Sequence, residues 1–224
     1  TGRSKAAVEL FLKWLPERPS YAGSGDLALA RLTAGQLGDA WEGYEFRWIN
    51  KALAAYRTTF SKPPWQGQDL SGKTILLRDE QGVGDCMQFI RYAYHLRRLG
   101  AIVCMQARDS WRSLAAQVIA VDHFLKPEDQ LPPFDYYTHL LSLPRLFGTS
   151  LESVPADVPY IEAKVEWVQR WAGRVASRSG LKVGLVWAGN PSHTNDANRS
   201  LNLLQLLPLL GTAGATFFAL QKGA

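Results

Sequence analysis

Two stretches of the chain carry residue types that can do chemistry. The first is Gln81-Gly82-Val83-Gly84-Asp85. Gly82 and Gly84 let backbone approach a ligand closely, and the first N–H groups of a following helix would face the same space. Asp85 falls in the first turn of that helix, where the positive end of the dipole favours a carboxylate. It is either an N-terminal cap or a group that stays ionised and accepts a proton as a general base. Gln81 stands beside the glycines as a ligand-binding candidate. The second stretch is the loop 189–200, in which Asn190, His193, Asn195, Asn198, Arg199 and Ser200 gather polar groups with no core-forming residue between them. Amides and hydroxyls suit phosphate oxygens or sugar hydroxyls, and a guanidinium can fork two phosphate oxygens. A ligand role is expected for Asn190, His193, Asn198, Arg199 and Ser200, with Gln221 and Lys222 adding polar groups after a later strand.

These residues need elements to hold them. Residues 73–99 read as strand, glycine turn and helix. Thr74, Ile75, Leu76 and Leu77 are apolar or β-favouring without a helical period, whereas Phe89, Ile90, Ala93 and Leu96 recur at helical spacing before Arg97, Arg98 and Gly100 close the segment. The rhythm continues with expected strands at 101–106, 121–125 and 134–137 and helices at 110–118 and 140–147, then an extended exit at 158–161. Such alternation predicts a mostly parallel, doubly wound sheet with ligands outside the strand C-termini. That places 79–85, 107–110 and 139–142 on one rim, where His139 is either a site residue or a satisfied rim histidine. A second start follows: an amphipathic helix at 165–178 carrying Trp167 and Trp171, a strand at 182–187, the polar loop, a helix at 201–210 and a strand at 216–220.

Composition narrows the classes. With 224 residues, 46% of them apolar, the chain can build one or two cores. The net charge of +5 is spread over most segments, which suits phosphorylated small molecules as well as nucleic acid, and no basic tract marks a nucleic-acid partner. Cys86 and Cys104 lack CxxC spacing, so neither a disulfide framework nor a zinc site is indicated, and Cys86 is expected to be a small buried apolar residue. There is no carboxylate cluster for a divalent metal. No apolar run is long enough for a membrane span and no signal-peptide pattern is present, so a cytoplasmic location is expected.

Ahead of the α/β region, residues 5–15 form a helix through Ala7, Val8, Phe11, Leu12 and Leu15, ended by Pro16 and Pro19. A connector at 21–24 leads to helices at 26–32 and 37–48 around Ala34-Gly35-Gln36. Ala7, Ala28 and Ala40 sit where paired helices approach closely, with Phe11 and Tyr44 four residues after the first and last. The first fifty residues thus resemble a tetratricopeptide repeat, the alternative being a generic helical hairpin. Residues 50–68 lack periodicity and read as a linker, in which Pro63-Pro64 makes a stiff strap and Trp65 anchors it.

The longer pattern is more specific. Trp41-Glu42-Gly43-Tyr44-Glu45-Phe46-Arg47-Trp48, Pro64-Trp65, the stretch from Glu80 to Asp85 with Gln88-Phe89-Ile90-Arg91-Tyr92, the stretch from Val183 to Pro191, Asn198-Arg199-Ser200 and Leu220-Gln221-Lys222-Gly223 together resemble bacterial tetratricopeptide-repeat glycosyltransferases. Those are similar to ADP-heptose heptosyltransferases and more distantly to O-linked N-acetylglucosamine transferases. The resemblance covers nearly the whole chain and implies a GT-B architecture, with a first Rossmann-like domain for the acceptor and a second for the nucleotide-sugar. It matches Gly84-Asp85 to the Gly-Asp whose aspartate is the proposed base, and Gln221 and Lys222 to a glutamine and lysine that meet donor phosphates. It implies no metal and no cofactor; the mechanism expected from the residues has Asp85 take the acceptor proton while Arg199 and Lys222 stabilise the leaving diphosphate.

The expected organisation is a tetratricopeptide-like segment with linker at 1–62, an acceptor-side domain at 63–163 and a partial donor-side domain at 164–224. A GT-B second domain has several more βα units, so the chain is expected to be truncated, inactive alone and weak in nucleotide-sugar binding. The uncovered faces of the last two strands are expected to dock on the first domain or to pair in a homodimer. Two rivals remain. A dinucleotide-dependent oxidoreductase would set Gly82 and Gly84 on a pyrophosphate and Asp109 on a ribose, but the third glycine place is Met87. A non-catalytic module would use the repeat to hold a protein partner.

Overall fold

Ile75, Leu76 and Leu77 lose all solvent exposure in the computed structural model. They form β1 (Thr74–Arg78), an inner strand of a wholly parallel sheet with β2 (Ile102–Gln106), β3 (His123–Leu125) and β4 (Tyr136–His139), in the order β3-β2-β1-β4. An inner parallel strand is covered on both faces, which is why β1 is an unbroken apolar run. Ile75 and Leu77 join Val103, Met105, Ile90, Leu96 and Trp111 in the larger core. Leu76 faces the other way with Cys104 and Tyr137, covered by Phe60, Leu131 and Phe134. The structure describes residues 2–17, 19–50, 53, 56–57 and 60–222. They divide into two units, 1–162 and 163–224.

In the first unit, α1 (Gly2–Trp14) packs on α2 (Tyr21–Ala34). A Cβ on Gly23 would lie 2.7 Å from Leu15 Cδ2, so the turn after α1 packs closely on the first turn of α2. The expected connector at 21–24 is the first turn of α2, because Ser20 Oγ accepts the Gly23 N–H at 3.0 Å and starts the helix there. Gly35, at φ +81°, ends it. The expected helix over 37–48 is reduced to α3 (Trp41–Tyr44), followed by a 3₁₀ turn at Glu45–Ile49. Arg47 is the reason: it is pulled down to a buried carboxylate at the end of β1.

The glycine turn leads into α4 (Val83–Phe89) and then α5 (Tyr92–Arg98), where one helix is expected. Ile90 and Tyr92 are both buried, and residues two apart cannot share one face of a straight helix, so the break at 90–91 brings both inside. After β2 comes α6 (Asp109–Ala115), and after β4 a 3₁₀ turn at Leu140–Ser142 leads into α7 (Leu143–Leu146). The β3–β4 connection holds no helix, and among the described residues the second face is closed by side chains of loops, where helices on both faces are expected. β4 begins two residues later than expected because Asp135 Oδ2 accepts the Thr74 N–H at 2.9 Å at the strand entrance. Pro64 bridges to Tyr137, the Trp65 N–H donates to Tyr137 O at 2.8 Å, and the Trp65 ring is buried, so the strap is anchored as expected.

The second unit contains α8 (Val165–Ala176), then β5 (Leu181–Leu185) and β6 (Ala215–Ala219) paired in parallel. The expected helix over 201–210 is a 3₁₀ turn at Leu203–Leu206 and α9 (Leu207–Leu210); Pro208, lacking an N–H, can only open the second piece. None of the described residues of this unit is buried.

Candidate functional site

The chain leaves β1 towards β2 on one side and returns to β4 on the other, so the crevice between the C-terminal ends of β1 and β4 is the switch point where open α/β sheets bind ligands. Asp79, Glu80 and Gln81 lead out of β1 there. Glu80 is fully buried and meets the Arg47 fork twice, from Nε to Oε2 at 2.9 Å and from Nη2 to Oε1 at 2.9 Å. The Leu141 N–H donates to Oε1 at 3.1 Å, and Arg47 also donates to Ser142 Oγ at 2.7 Å and Glu45 Oε1 at 2.7 Å. Burial pushes the Glu80 carboxyl above its ordinary range, and the guanidinium works against that rise. The helical segment and the sheet are thereby locked together at the crevice.

Asp79 forms a second bolt. Its Oδ2 accepts the Arg108 N–H at 3.1 Å, Arg108 Nε at 2.8 Å and Trp111 Nε1 at 3.1 Å. Arg108 Nη2 then donates to Gln81 O at 2.7 Å. Gln81 has φ +58°, the only non-glycine in the left-handed region among the described residues. Such a conformation costs on the order of 1–3 kcal/mol and persists only where neighbours over-determine it. Arg108 holds its carbonyl, and its side-chain Nε2 donates to Tyr44 Oη at 3.1 Å. Burial raises the Tyr44 phenol above its ordinary value, and the Asp85 charge adds to that rise.

Asp85 Oδ2 accepts the Gly82 N–H at 3.0 Å, the reach-back half of a capping box; Gly82 has no side chain to supply the other half. A Cβ on Gly82 would lie 2.8 Å from that oxygen, so the glycine makes room for the carboxylate. A Cβ on Gly84 would meet nothing within 4 Å, so packing does not require this second glycine. Asp85 is partly exposed and makes no other side-chain hydrogen bond among the described residues.

His139 lies on the same rim, at the end of β4. Burial, reinforced by the Arg47 charge, lowers it to about 4, so the ring is neutral near pH 7. Its Nε2 is 3.3 Å from Tyr56 O and its ring packs edge-on to Trp48. Cys86 Sγ donates to Glu80 O, and burial pushes the thiol up to about 11.

In the second unit the remaining candidates sit at the C-terminal ends of β5 and β6. Gln221 Oε1 accepts the Trp187 and Ala188 N–H groups at 3.0 and 2.9 Å, and its Nε2 donates to Ala188 O at 3.1 Å, so the side chain staples the two strand ends. Asn190 Oδ1 accepts the Ser192 N–H, His193 Nδ1 accepts the Asn195 N–H, and Asn198 Nδ2 donates to Asn195 Oδ1. Ser200 Oγ accepts the Gly189 N–H and donates to Asp196 Oδ1. The loop therefore uses most of its polar side chains on its own turns. Arg199 and Lys222 are exposed and make no side-chain hydrogen bond or ion pair among the described residues. Arg199 Nη2 lies 3.8 Å from where a Cβ on Gly189 would stand, so it folds back on the start of its own loop.

Gln81, Gly82, Gly84 and Asp85 thus share one turn of the first unit, and the other seven candidates share the strand ends of the second. Arg47, Glu80, Tyr44, Asp79 and Arg108 had no assigned role from sequence. The available signal was an arginine inside the aromatic run 44–48 and two acids closing an apolar strand. No group of His, Cys, Asp and Glu side chains among the described residues gathers to hold a metal ion, and no helix among them is long and apolar enough to cross a membrane.

The first unit is thus a Rossmann-like parallel α/β arrangement with a polar rim at its switch point. Comparison with known proteins adds one relative, protein FlbA of Caulobacter vibrioides, 26% identical over 221 residues. The match covers 86% of this chain and 35% of FlbA, so the chain spans about a third of that relative's length. No family model matches, and no solved structure does.

Proposed function

We propose that the chain carries acceptor-side and donor-side segments of a GT-B glycosyltransferase together with a tetratricopeptide-like helical segment, and works in the cytoplasm. The observation that carries this reading is Asp85: a partly exposed carboxylate on a glycine turn at the switch point of a parallel sheet, whose one side-chain hydrogen bond among the described residues is from the Gly82 N–H. In the proposed reaction the acceptor hydroxyl gives its proton to Asp85 as its oxygen bonds to the anomeric carbon of a nucleotide-sugar. The bond from that carbon to the phosphate oxygen breaks, and its electron pair leaves on the nucleoside diphosphate. In the second unit, Arg199 and Lys222, which make no side-chain hydrogen bond or ion pair among the described residues, offer the positive charge that a diphosphate needs. Asn190, His193, Asn198, Ser200 and Gln221 shape the loop that carries them, and the helical pair is the place for a protein partner.

The test is a thermal-shift titration with ADP, GDP and UDP, their sugars, and NAD. Saturation at a hundred times the dissociation constant adds about 2.7 kcal/mol, so weak binding is still readable at millimolar ligand. Stabilisation by a nucleoside diphosphate, reduced at least tenfold in apparent affinity by Arg199→Ala or Lys222→Ala, is the expected result. Stabilisation by NAD alone, or by none of these ligands, refutes the reading.

A further inference from the structure

A cavity of about 490 Å³ lies in the first unit between α2 and the segment that follows α3, and it ends on Gln81. Much of its wall is apolar, from Ala22, Leu29, Phe46, Ile49 and Leu53, with the polar Asn50 between the last two. Tyr44 and Gln81 both line it, and the Tyr44 hydroxyl and the Gln81 amide meet next to the turn that holds Asp85. Two independent observations thus fall in one place, the cavity and the left-handed Gln81 that two other side chains hold in position. We propose that this cavity receives the uncharged, apolar group that carries the acceptor hydroxyl, with Tyr44 and Gln81 aligning the hydroxyl beside Asp85. The inference rests on the glycosyltransferase reading and adds the chemical class of the acceptor.

The charges decide that class. Arg47 lines the cavity, but its five N–H groups are taken by Glu80 twice and by Ser142, Glu45 and the Tyr44 carbonyl, so it has no donor left for an anion. The other charged group lining the cavity among the described residues is Asp26, which repels anions. A phosphorylated or carboxylated acceptor is therefore disfavoured, and an alcohol on an apolar scaffold fits. Tyr44 accepts from Gln81 Nε2 at 3.1 Å and donates to Gln81 Oε1 at 3.5 Å, so its O–H is held by a long bond that a bound acceptor oxygen can replace. Burial keeps that phenol protonated.

The experiment titrates the whole chain with hexyl β-D-glucoside below its micelle concentration, with glucose, and with hexyl phosphate, read by NMR at Leu29, Phe46 and the Gln81 amide. Gly25→Leu is the blocking variant. Gly25 lines the cavity and a Cβ there meets only Phe46 Cβ at 3.7 Å, so the longer side chain enters the cavity while leucine favours the helix. The expected result is that hexyl glucoside moves these resonances, that Gly25→Leu weakens it at least tenfold, and that hexyl phosphate and glucose each bind at least tenfold more weakly. Unmoved resonances, binding unaffected by Gly25→Leu, or preference for hexyl phosphate overturns the proposal while leaving nucleotide binding by the second unit as a separate result. Cavity binding in a chain that fails the nucleotide titration refutes the acceptor assignment.

Discussion

Removing the Arg47 guanidinium should be among the most damaging single changes in the first unit. Glu80 is fully buried and Arg47 is 6% exposed, so neither charge can fall back on water. In Arg47→Met the carboxylate loses both arms of the fork and keeps only the Leu141 N–H at 3.1 Å. Glu45 also loses its 2.7 Å partner, but its side chain is 26% exposed and can rehydrate. Leaving a buried charge without its partner costs roughly 3–5 kcal/mol, a large part of the about 5–15 kcal/mol that holds a domain together. Replacing both partners by apolar residues removes the stranded charge, so Arg47→Met with Glu80→Leu should be more stable than Arg47→Met alone. The assay is urea unfolding followed by near-ultraviolet circular dichroism, with the double-mutant cycle giving a coupling energy of at least about 2 kcal/mol. A cost for Arg47→Met below about 1 kcal/mol, the range of exposed pairs, refutes the argument. So does strict additivity of the two substitutions.

His139 sets a pH dependence: its folded value of about 4 lies below the ordinary 6.5, so the unfolded chain takes up a proton in that window that the native ring does not. Stability is therefore full above about pH 6.5 and falls towards pH 4, by about 3 kcal/mol from this group, and His139→Asn should flatten that part of the profile; an unchanged slope counts against it. At Asp85, Asn keeps an acceptor for the Gly82 N–H and should hold stability within about 0.5 kcal/mol, whereas Ala should lose about 0.5–1 kcal/mol. Wherever transfer is measured, Asp85→Asn should slow it roughly a hundredfold, and unchanged turnover removes the base assignment. Cys86 and Cys104 are buried with thiols pushed up to about 11, so neither should react with a thiol reagent at pH 8 until the chain is unfolded, when two thiols should titrate. Fast labelling of the native chain contradicts that burial.

The elements with one strong local cause were legible in the sequence. The apolar run 74–77 could only be a covered strand, and the glycines at 82 and 84 marked the turn after it. The helices beginning at 109 and 165 were equally visible from their apolar period, as was the strap at Pro63-Pro64-Trp65 from its backbone restriction. Boundaries differ where a second signal outweighs the apolar period. The Ser20 cap starts α2 at Tyr21, five residues ahead of that period, and the break between α4 and α5 follows from burying Ile90 and Tyr92 together.

The loop 189–200 shows why polar residue counts mislead. Asn190, His193, Asn198 and Ser200 have types suited to a ligand, yet in the structure they close the loop's own turns, since backbone groups without a ladder must find partners among nearby side chains. Arg199 and Lys222, which share no such turn, were distinguishable from them only once those bonds were in view. The sequence by itself determined the parallel α/β rhythm, the glycine turn and the acid on it, because each depends on neighbours a few residues apart. Tertiary structure alone decided that Arg47 meets Glu80 across 33 positions, that Trp111 and Arg108 meet Asp79, and that a cavity ends on a left-handed Gln81. Those pairings depend on which face of a helix reaches the end of a sheet, and chain separation carries no record of that distance in space.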